Sequence, residues 1–96
     1  MNSERSRNKL GLFMAVTWDA VQHSKTRWRQ EPDAPDAPLA VRLAAFQGDM
    51  IGDLERAFPG VALVPPGCLA LLILKGVVEA GEDKSAIEAA AGVMFD

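Results

Sequence analysis

One cysteine and one histidine are the residues of this 96-residue sequence best suited to nucleophilic catalysis. A helix N-terminus favours the reactive thiolate, and Cys68 follows Pro65-Pro66-Gly67, where we expect a helix to begin. A cysteine nucleophile also needs a base, and His23 is the only histidine in the chain. Nothing in the spacing brings the two together, and a buried cysteine on an apolar helix is the ordinary case. We therefore predict no catalytic residue and no enzyme activity.

Two groups of acidic residues are candidates for holding a metal ion or sharing a proton. Asp49 and Asp53 are four residues apart on one helical face, and Glu79, Glu82 and Asp83 cluster between two predicted helices. Neither group lies in a calcium-binding loop, and one histidine with one cysteine cannot complete a closed zinc site. The glycines do not form a phosphate-binding motif. We predict no metal and no cofactor.

A basic segment is the candidate for binding nucleic acid. It contains Lys25, Arg27 and Arg29, and Trp28 lies between the two arginines, where a ring can stack on a base. Residues 1–30 carry six basic and two acidic residues, whereas residues 31–96 carry four basic and eleven acidic ones. The chain as a whole is acidic, with a pI near 5.0, although nucleic-acid-binding domains are usually basic. A nucleic-acid-binding regulator is therefore the alternative and not the preferred interpretation.

Large apolar side chains are the stronger indication, and they point to a protein partner. The chain has two tryptophans, four methionines and four phenylalanines, which are types enriched at the centre of interfaces. Because a chain this short buries only a modest share of its surface, we expect some of them to contact another protein. A symmetric homodimer is the commonest arrangement. The predicted partner-binding or dimer residues are Met14, Trp18, Val21, Trp28, Ala44, Gly48 and Gly52.

These observations favour a small regulatory protein that acts by contact, of the anti-activator or adaptor type, and that occupies an interface of its partner. A transcription regulator is one such partner. The lone Cys68 excludes an internal disulfide and is typical of the reducing cytoplasm. The abundance of Ala, Gly, Pro and Arg is typical of a GC-rich bacterial genome. We expect no membrane segment: no apolar run is long enough to span a bilayer, and Thr17–Ala20 is a poor signal-peptide cleavage sequence.

The residues above should be positioned by helices, in one domain covering 1–96. In the first helix, apolar positions recur at a spacing of three and four from Leu10 onward, so the helix should run to about Arg29, with residues 1–9 frayed. Prolines at every third position predict an extended connector over 31–38. The first helix should form the seam of a dimer.

A second helix is predicted from an N-cap at Asp36 to about Phe58. Ala44, Gly48 and Gly52 are four residues apart and form one row of small side chains along it. Each glycine inside a helix costs about 1 kcal/mol relative to alanine. Such a row is explained either by a backbone that passes close to it or by a loosely packed surface.

The remainder of the chain should contain two further helices. The Val61–Val64 segment is short and partly β-branched, which predicts an extended bridge or one small strand. The third helix should cover 66–80 and stop at Gly81; a hairpin turning at Lys75-Gly76 is the alternative. Because Leu69–Val78 is apolar on almost every side, this helix should be central and buried. A fourth helix should begin near Asp83, with its apolar side formed by Ile87, Ala90, Ala91 and Met94.

Overall fold

The described part of the chain is all-helical in the computed structural model. The structure describes residues 2–30 and 37–95, and the side chains of the first helix from residue 15 onward. The α-helices are α1 (Asn2–Gln30), α2 (Leu39–Ala57), α3 (Pro66–Glu79) and α4 (Lys84–Ala91), with a 3₁₀ helix over Pro59–Leu63. No strand occurs within the described ranges, so the predicted all-α fold with four helices is confirmed.

The most extensive packing in the fold is that of α1 against α3. Ala20 and Ser24 of α1 are fully buried, and Gly76 of α3 lies directly against this part of α1. A Cβ atom added at Gly76 would lie 2.6 Å from the carbonyl oxygen of Val21 and 2.9 Å from the backbone nitrogen of Lys25. The two helix backbones can approach this closely only because small residues line the contact.

The apolar run of α3 is one helix, and the hairpin alternative is excluded. Leu69, Ile73, Leu74 and Val77 are buried, and they pack in one core with apolar side chains of α1, α2 and α4. The remaining side is open, since Leu71 is 39% exposed. The chain itself therefore surrounds α3 on most sides but not on all.

Helix α2 supplies a regular apolar stripe to this core, formed by Leu43, Phe46, Met50 and Leu54. It begins at Leu39 with Pro38 in the N-cap position. The predicted N-cap, Asp36, lies outside the described residues, as does the connector over 31–36. The predicted end at Phe58 is one residue too far, because Phe58 is already the C-cap and donates its N–H to the carbonyl of Leu54.

The predicted extended segment at Val61–Val64 is wrong, because the 3₁₀ helix covers most of it. The N–H of Val61 donates to the carbonyl of Phe58, and the N–H of Val64 donates to that of Val61, both at 2.9 Å. Side chains three residues apart lie on the same side of a 3₁₀ helix. Val61 and Val64 therefore both enter the core, and this burial outweighs the preference of valine for strands.

Helix α4 closes the core through Ile87, which is fully buried. Asp83 caps its N-terminus by accepting a hydrogen bond from the backbone N–H of Ser85. Gly92 ends it with a positive φ of 70°. Met94 was expected on the apolar side, but it follows the helix and is 86% exposed. None of the described helices combines the length and the apolar character that crossing a bilayer requires.

Candidate protein-binding site

Trp18 is the largest apolar side chain left exposed among the described residues, with 65% of its surface accessible. It lies on α1 and lines two open cavities of about 620 and 310 Å³. Lys75 and Glu79 of α3 line both cavities as well. We call this surface the Trp18 groove: Trp18, Lys75 and Glu79 with the two cavities that they share.

The walls of the Trp18 groove come from three parts of the fold. Leu72 of α3 lines the smaller cavity, and Val78 of α3 and Phe95 line the larger one. Phe95 follows α4 and donates its backbone N–H to a carboxylate oxygen of Glu88 at 2.7 Å, which fixes it beside the helices. From Leu72 to Glu79 the groove follows α3 for about 10 Å. Apolar grooves between helices are the usual docking sites for an amphipathic helix.

Three charged side chains give the groove its polar character. Lys75 and Glu79 lie on α3, and Lys84 lies at the start of α4. Within the described ranges, none of the three forms an ion pair or a hydrogen bond through its side chain. They are therefore available to pair with charges on a bound molecule, and their combined charge is +1.

The structure separates the predicted partner-binding residues of α1. Trp18 is exposed, and Val21, although only 6% exposed, lines the smaller cavity beside it, whereas Trp28 is buried in the core. Met14 lies outside the residues whose side chains are described. Of the four predicted positions on α1, Trp18 and Val21 thus line the groove, and Trp18 is the one whose side chain is exposed.

Trp28 is 7% exposed and joins three parts of the fold. Its indole N–H donates to a carboxylate oxygen of Glu82 at 3.0 Å. Its ring meets Phe46 edge to face at a centroid distance of 5.0 Å, and the guanidinium of Arg42 lies over it at 4.9 Å. Trp28 therefore holds the C-terminal end of α1 against α2 and the α3–α4 junction.

The row of small residues on α2 has no neighbouring backbone. Ala44 and Gly48 are exposed, and a Cβ atom added at Gly48 would meet nothing within 4 Å. At Gly52 the nearest atom is a guanidinium nitrogen of Arg56 at 3.5 Å. The close approach that this row suggested occurs instead at Gly76 on α3, a position that the sequence suggested only as the turn of the alternative hairpin.

The basic end of α1 is only partly a surface feature. Arg27 and Arg29 are exposed, and Lys25 is half-buried. Trp28, which was expected to stack on a base, faces the core instead, so the segment presents no tryptophan ring to solvent. The three basic side chains of this segment therefore lack the neighbouring exposed aromatic ring that made the sequence resemble a nucleic-acid site.

A side-chain hydrogen bond between α1 and α2 escaped sequence reasoning. The Nε2–H group of His23 donates to Oδ2 of Asp53 at 2.7 Å, and the edge of the imidazole contacts Phe58 at a centroid distance of 5.6 Å. Both side chains are about one-third exposed or less. The hydrogen bond from His23 lowers the pKa of Asp53 below its ordinary value of 3.8, and the positive charges of Arg27 and Arg56 act in the same direction. No sequence signal links two residues thirty positions apart.

The residues first considered for catalysis do not form a common site. Cys68 is exposed, whereas the imidazole of His23 is engaged with Asp53. Glu82 accepts the hydrogen bond from Trp28, and Asp83 caps α4, so both have structural roles. No group of three metal-ligating side chains occurs in the described part of the chain.

Comparison of the chain with protein-family models, with curated proteins and with solved structures gives no match.

Proposed function

We propose that this chain is a small, non-catalytic regulatory protein of the cytoplasm that acts by protein–protein contact, as an adaptor or anti-activator. The observation that carries the proposal is the exposure of Trp18 between two cavities. Leaving a large apolar side chain in water forfeits about 1.5–3 kcal/mol of burial free energy. Exposed apolar patches of this kind are typical of interaction sites.

The proposed partner is a protein that places a helix in the Trp18 groove. Tryptophan is among the residues that most often carry the binding energy of an interface. The three charged side chains of the groove have no partner among the described side chains; they are Lys75, Lys84 and Glu79. They would therefore select the orientation of a bound helix according to the charges that the helix carries. A transcription regulator whose own interface is occupied in this way is one such partner.

We also propose that the chain works as a homodimer with α1 in the seam, because a second copy offers the same kind of helix. Nucleic-acid binding stays the second candidate, since Arg27 and Arg29 project into solvent. The burial of Trp28 argues against it. Binding through these cations alone would depend steeply on salt and show little sequence preference.

The test identifies the proteins that stay bound to the chain from the cytosol of the cells that express it. Binding is compared at low and at high salt. Trp18→Ala is the variant, and Val41→Ala is the matched control, because Val41 is 59% exposed on α2 and lines neither cavity. We expect a defined protein to be retained by the wild type and by Val41→Ala at both salt concentrations and lost with Trp18→Ala.

Two outcomes contradict the proposal. If Trp18→Ala retains the same proteins as the wild type, the groove is not the contact surface. If the retained species is nucleic acid, and its retention disappears at high salt and in Arg27→Ala/Arg29→Ala, the second candidate is correct.

A further inference from the structure

We infer that the Trp18 groove binds an acidic amphipathic helix of a partner protein, whose apolar side chains enter the two cavities and whose carboxylates pair with Lys75 and Lys84. The inference rests on the proposed function, because it uses the same contact surface. It adds the sign of the partner's charge and the pattern of side chains by which the groove recognises it.

Two helix faces form walls of the groove. On α3, the lining residues are three and four positions apart and therefore share one side of that helix; they are Leu72, Lys75 and Glu79. On α1, Trp18 and Gln22 line the groove four positions apart. The side chains of a third helix can pack into the space between two such faces. Apolar side chains spaced over seven residues of that helix extend for about 10 Å, the same length as the groove.

The surface inside the groove is mainly apolar, which favours a helix over a nucleic acid. Val21 and Leu72 line the smaller cavity, and Val78 and Phe95 line the larger one. A phosphate backbone offers no apolar side chain that could replace the water in contact with these residues. A helix with an apolar stripe does replace that water, and the removal of apolar surface from water is favourable.

The charged side chains of the groove determine the sign of the partner's charge. Lys75 and Lys84 are exposed, and neither ammonium group has an acidic partner within the described ranges. Glu79 follows Lys75 by one helical turn without pairing with it, and lysine before glutamate is the less favourable order for such a pair. The two acidic residues that precede Lys84 already accept hydrogen bonds from other residues. Both ammonium groups can therefore pair with carboxylates of a bound helix.

The face of α1 that contains Trp18 continues as a positive surface. Four residues at a spacing of four, three and four share this face: Trp18, Gln22, Lys25 and Arg29. Lys25 is half-buried and Arg29 is exposed. Asp19 is the one acidic residue among the described side chains of α1, and it lies about 100° around the helix from Trp18. The basic residues of α1 thus extend the preference for an acidic partner beyond the two cavities.

The net charge of the chain makes this preference a specific test. The chain carries a formal charge of −3, so a nonspecific attraction would favour basic peptides. A preference for an acidic helix opposes the net charge and therefore reports the local charges of the groove.

The experiment titrates three fluorescently labelled helical peptides with the protein and measures fluorescence anisotropy. The first peptide has a stripe of leucines flanked by glutamates, and the second has lysines in place of the glutamates. The third has the composition of the first with its leucines distributed around the helix. At low salt we expect the first peptide to bind at least tenfold more tightly than either of the others, and to lose its binding with Trp18→Ala. High salt should reduce the difference between the first two.

Lys75→Glu/Lys84→Glu tests the charges of the groove, and Arg27→Glu/Arg56→Glu is the matched control with the same net charge. Arg27 and Arg56 are exposed and line neither cavity. The groove variant should bind the basic peptide at least tenfold more tightly than the acidic one, whereas the control should keep the preference of the wild type. Because the groove variant gains a ligand, loss of the fold would not explain this result.

Three outcomes overturn the inference. The first is equal affinity for the acidic peptide and either of the other two. The second is tighter binding of a single-stranded oligonucleotide than of the acidic peptide, which would assign the groove to nucleic acid. The third is binding of the acidic peptide that weakens as the protein associates at rising concentration, as followed by light scattering, which would assign the groove to a second copy of the chain.

Failure of this inference is distinguishable from failure of the proposed function. If a cytosolic protein is lost with Trp18→Ala but the acidic peptide is not preferred, the charge preference is wrong and the proposed function stands. If the acidic peptide is preferred but the same cytosolic proteins stay bound with Trp18→Ala, the proposed function is wrong and the charge preference stands.

Discussion

Replacing Gly76 by alanine should destabilise the protein, although alanine is the better helix former. The added Cβ atom would lie 2.6 Å from the carbonyl oxygen of Val21, 2.7 Å from Cβ of Ser24 and 2.9 Å from the nitrogen of Lys25. Two of these atoms are backbone and the third is attached to it, so no side-chain rotation relieves the overlap. The helices α1 and α3 must move apart.

The expected loss follows from two opposing terms. Restoring ordinary contact distances requires α3 to shift by about 1 Å, and overpacking of a core by one methyl group costs about 1–3 kcal/mol. Because the obstructing atoms belong to the backbone, we expect the upper end of that range. The gain in helix propensity returns about 1 kcal/mol. The free energy of unfolding should therefore fall by about 2 kcal/mol.

Gly48→Ala is the matched control, since it makes the same chemical change inside α2 with nothing within 4 Å of the new atom. It should raise the free energy of unfolding by about 0.5–1 kcal/mol. Urea titrations followed by circular dichroism, at one protein concentration, compare both variants with the wild type. The midpoint for Gly76→Ala should be lower by about 1–2 M. An unfolding free energy of Gly76→Ala equal to or above that of the wild type would refute the close approach of α1 and α3.

The remaining predictions concern the two polar links of α1. The hydrogen bond from His23 lowers the pKa of Asp53 below 3.8. The ionised Asp53 side chain therefore stabilises the fold above pH 3.8, and this stabilisation is lost as the pH falls through the folded-state pKa. Asp53→Asn should therefore be less stable than the wild type at neutral pH and approach it in strong acid, as urea titrations at several pH values would show; a difference that does not change with pH would contradict this. Trp28→Phe removes the hydrogen bond to Glu82 and should cost about 1–2 kcal/mol. In Trp28→Phe the remaining tryptophan is Trp18. Its fluorescence should peak at a longer wavelength than that of Trp28 in the variant Trp18→Phe, when dilute samples of the two variants are compared. Equal emission maxima would contradict the different burial of the two rings.

The helices could be predicted from the sequence because each has a recurring apolar pattern, although the first and last residues of α2 were not predicted correctly. Leu43, Phe46, Met50 and Leu54 are three or four positions apart in the sequence, the spacing of one helical face, and they form the buried face of α2. The 3₁₀ helix could not be predicted in this way, because valines favour strands locally and only the core shows that Val61 and Val64 must point the same way.

The candidate site was predictable only in part, because composition does not show which large side chains the fold covers. Trp18 and Trp28 lie on the same helix and look equally suited to an interface. The two tryptophans differ because Glu82, Phe46 and Arg42 contact Trp28, and these three residues are distant from it in sequence. The His23–Asp53 pair escaped detection for the same reason.

The contact at Gly76 also restricts which substitutions a relative of this protein can tolerate. Positions 20, 24 and 76 must all stay small for α1 and α3 to remain in contact, while the core leucines can exchange with other aliphatic residues. A diverged sequence with the same helix pair would therefore keep small residues at the positions of Ala20 and Ser24, which are four apart in the first helix. It would also keep a glycine at the position of Gly76, ten residues after the Pro65-Pro66 pair. These three positions would identify such a relative when overall similarity no longer does.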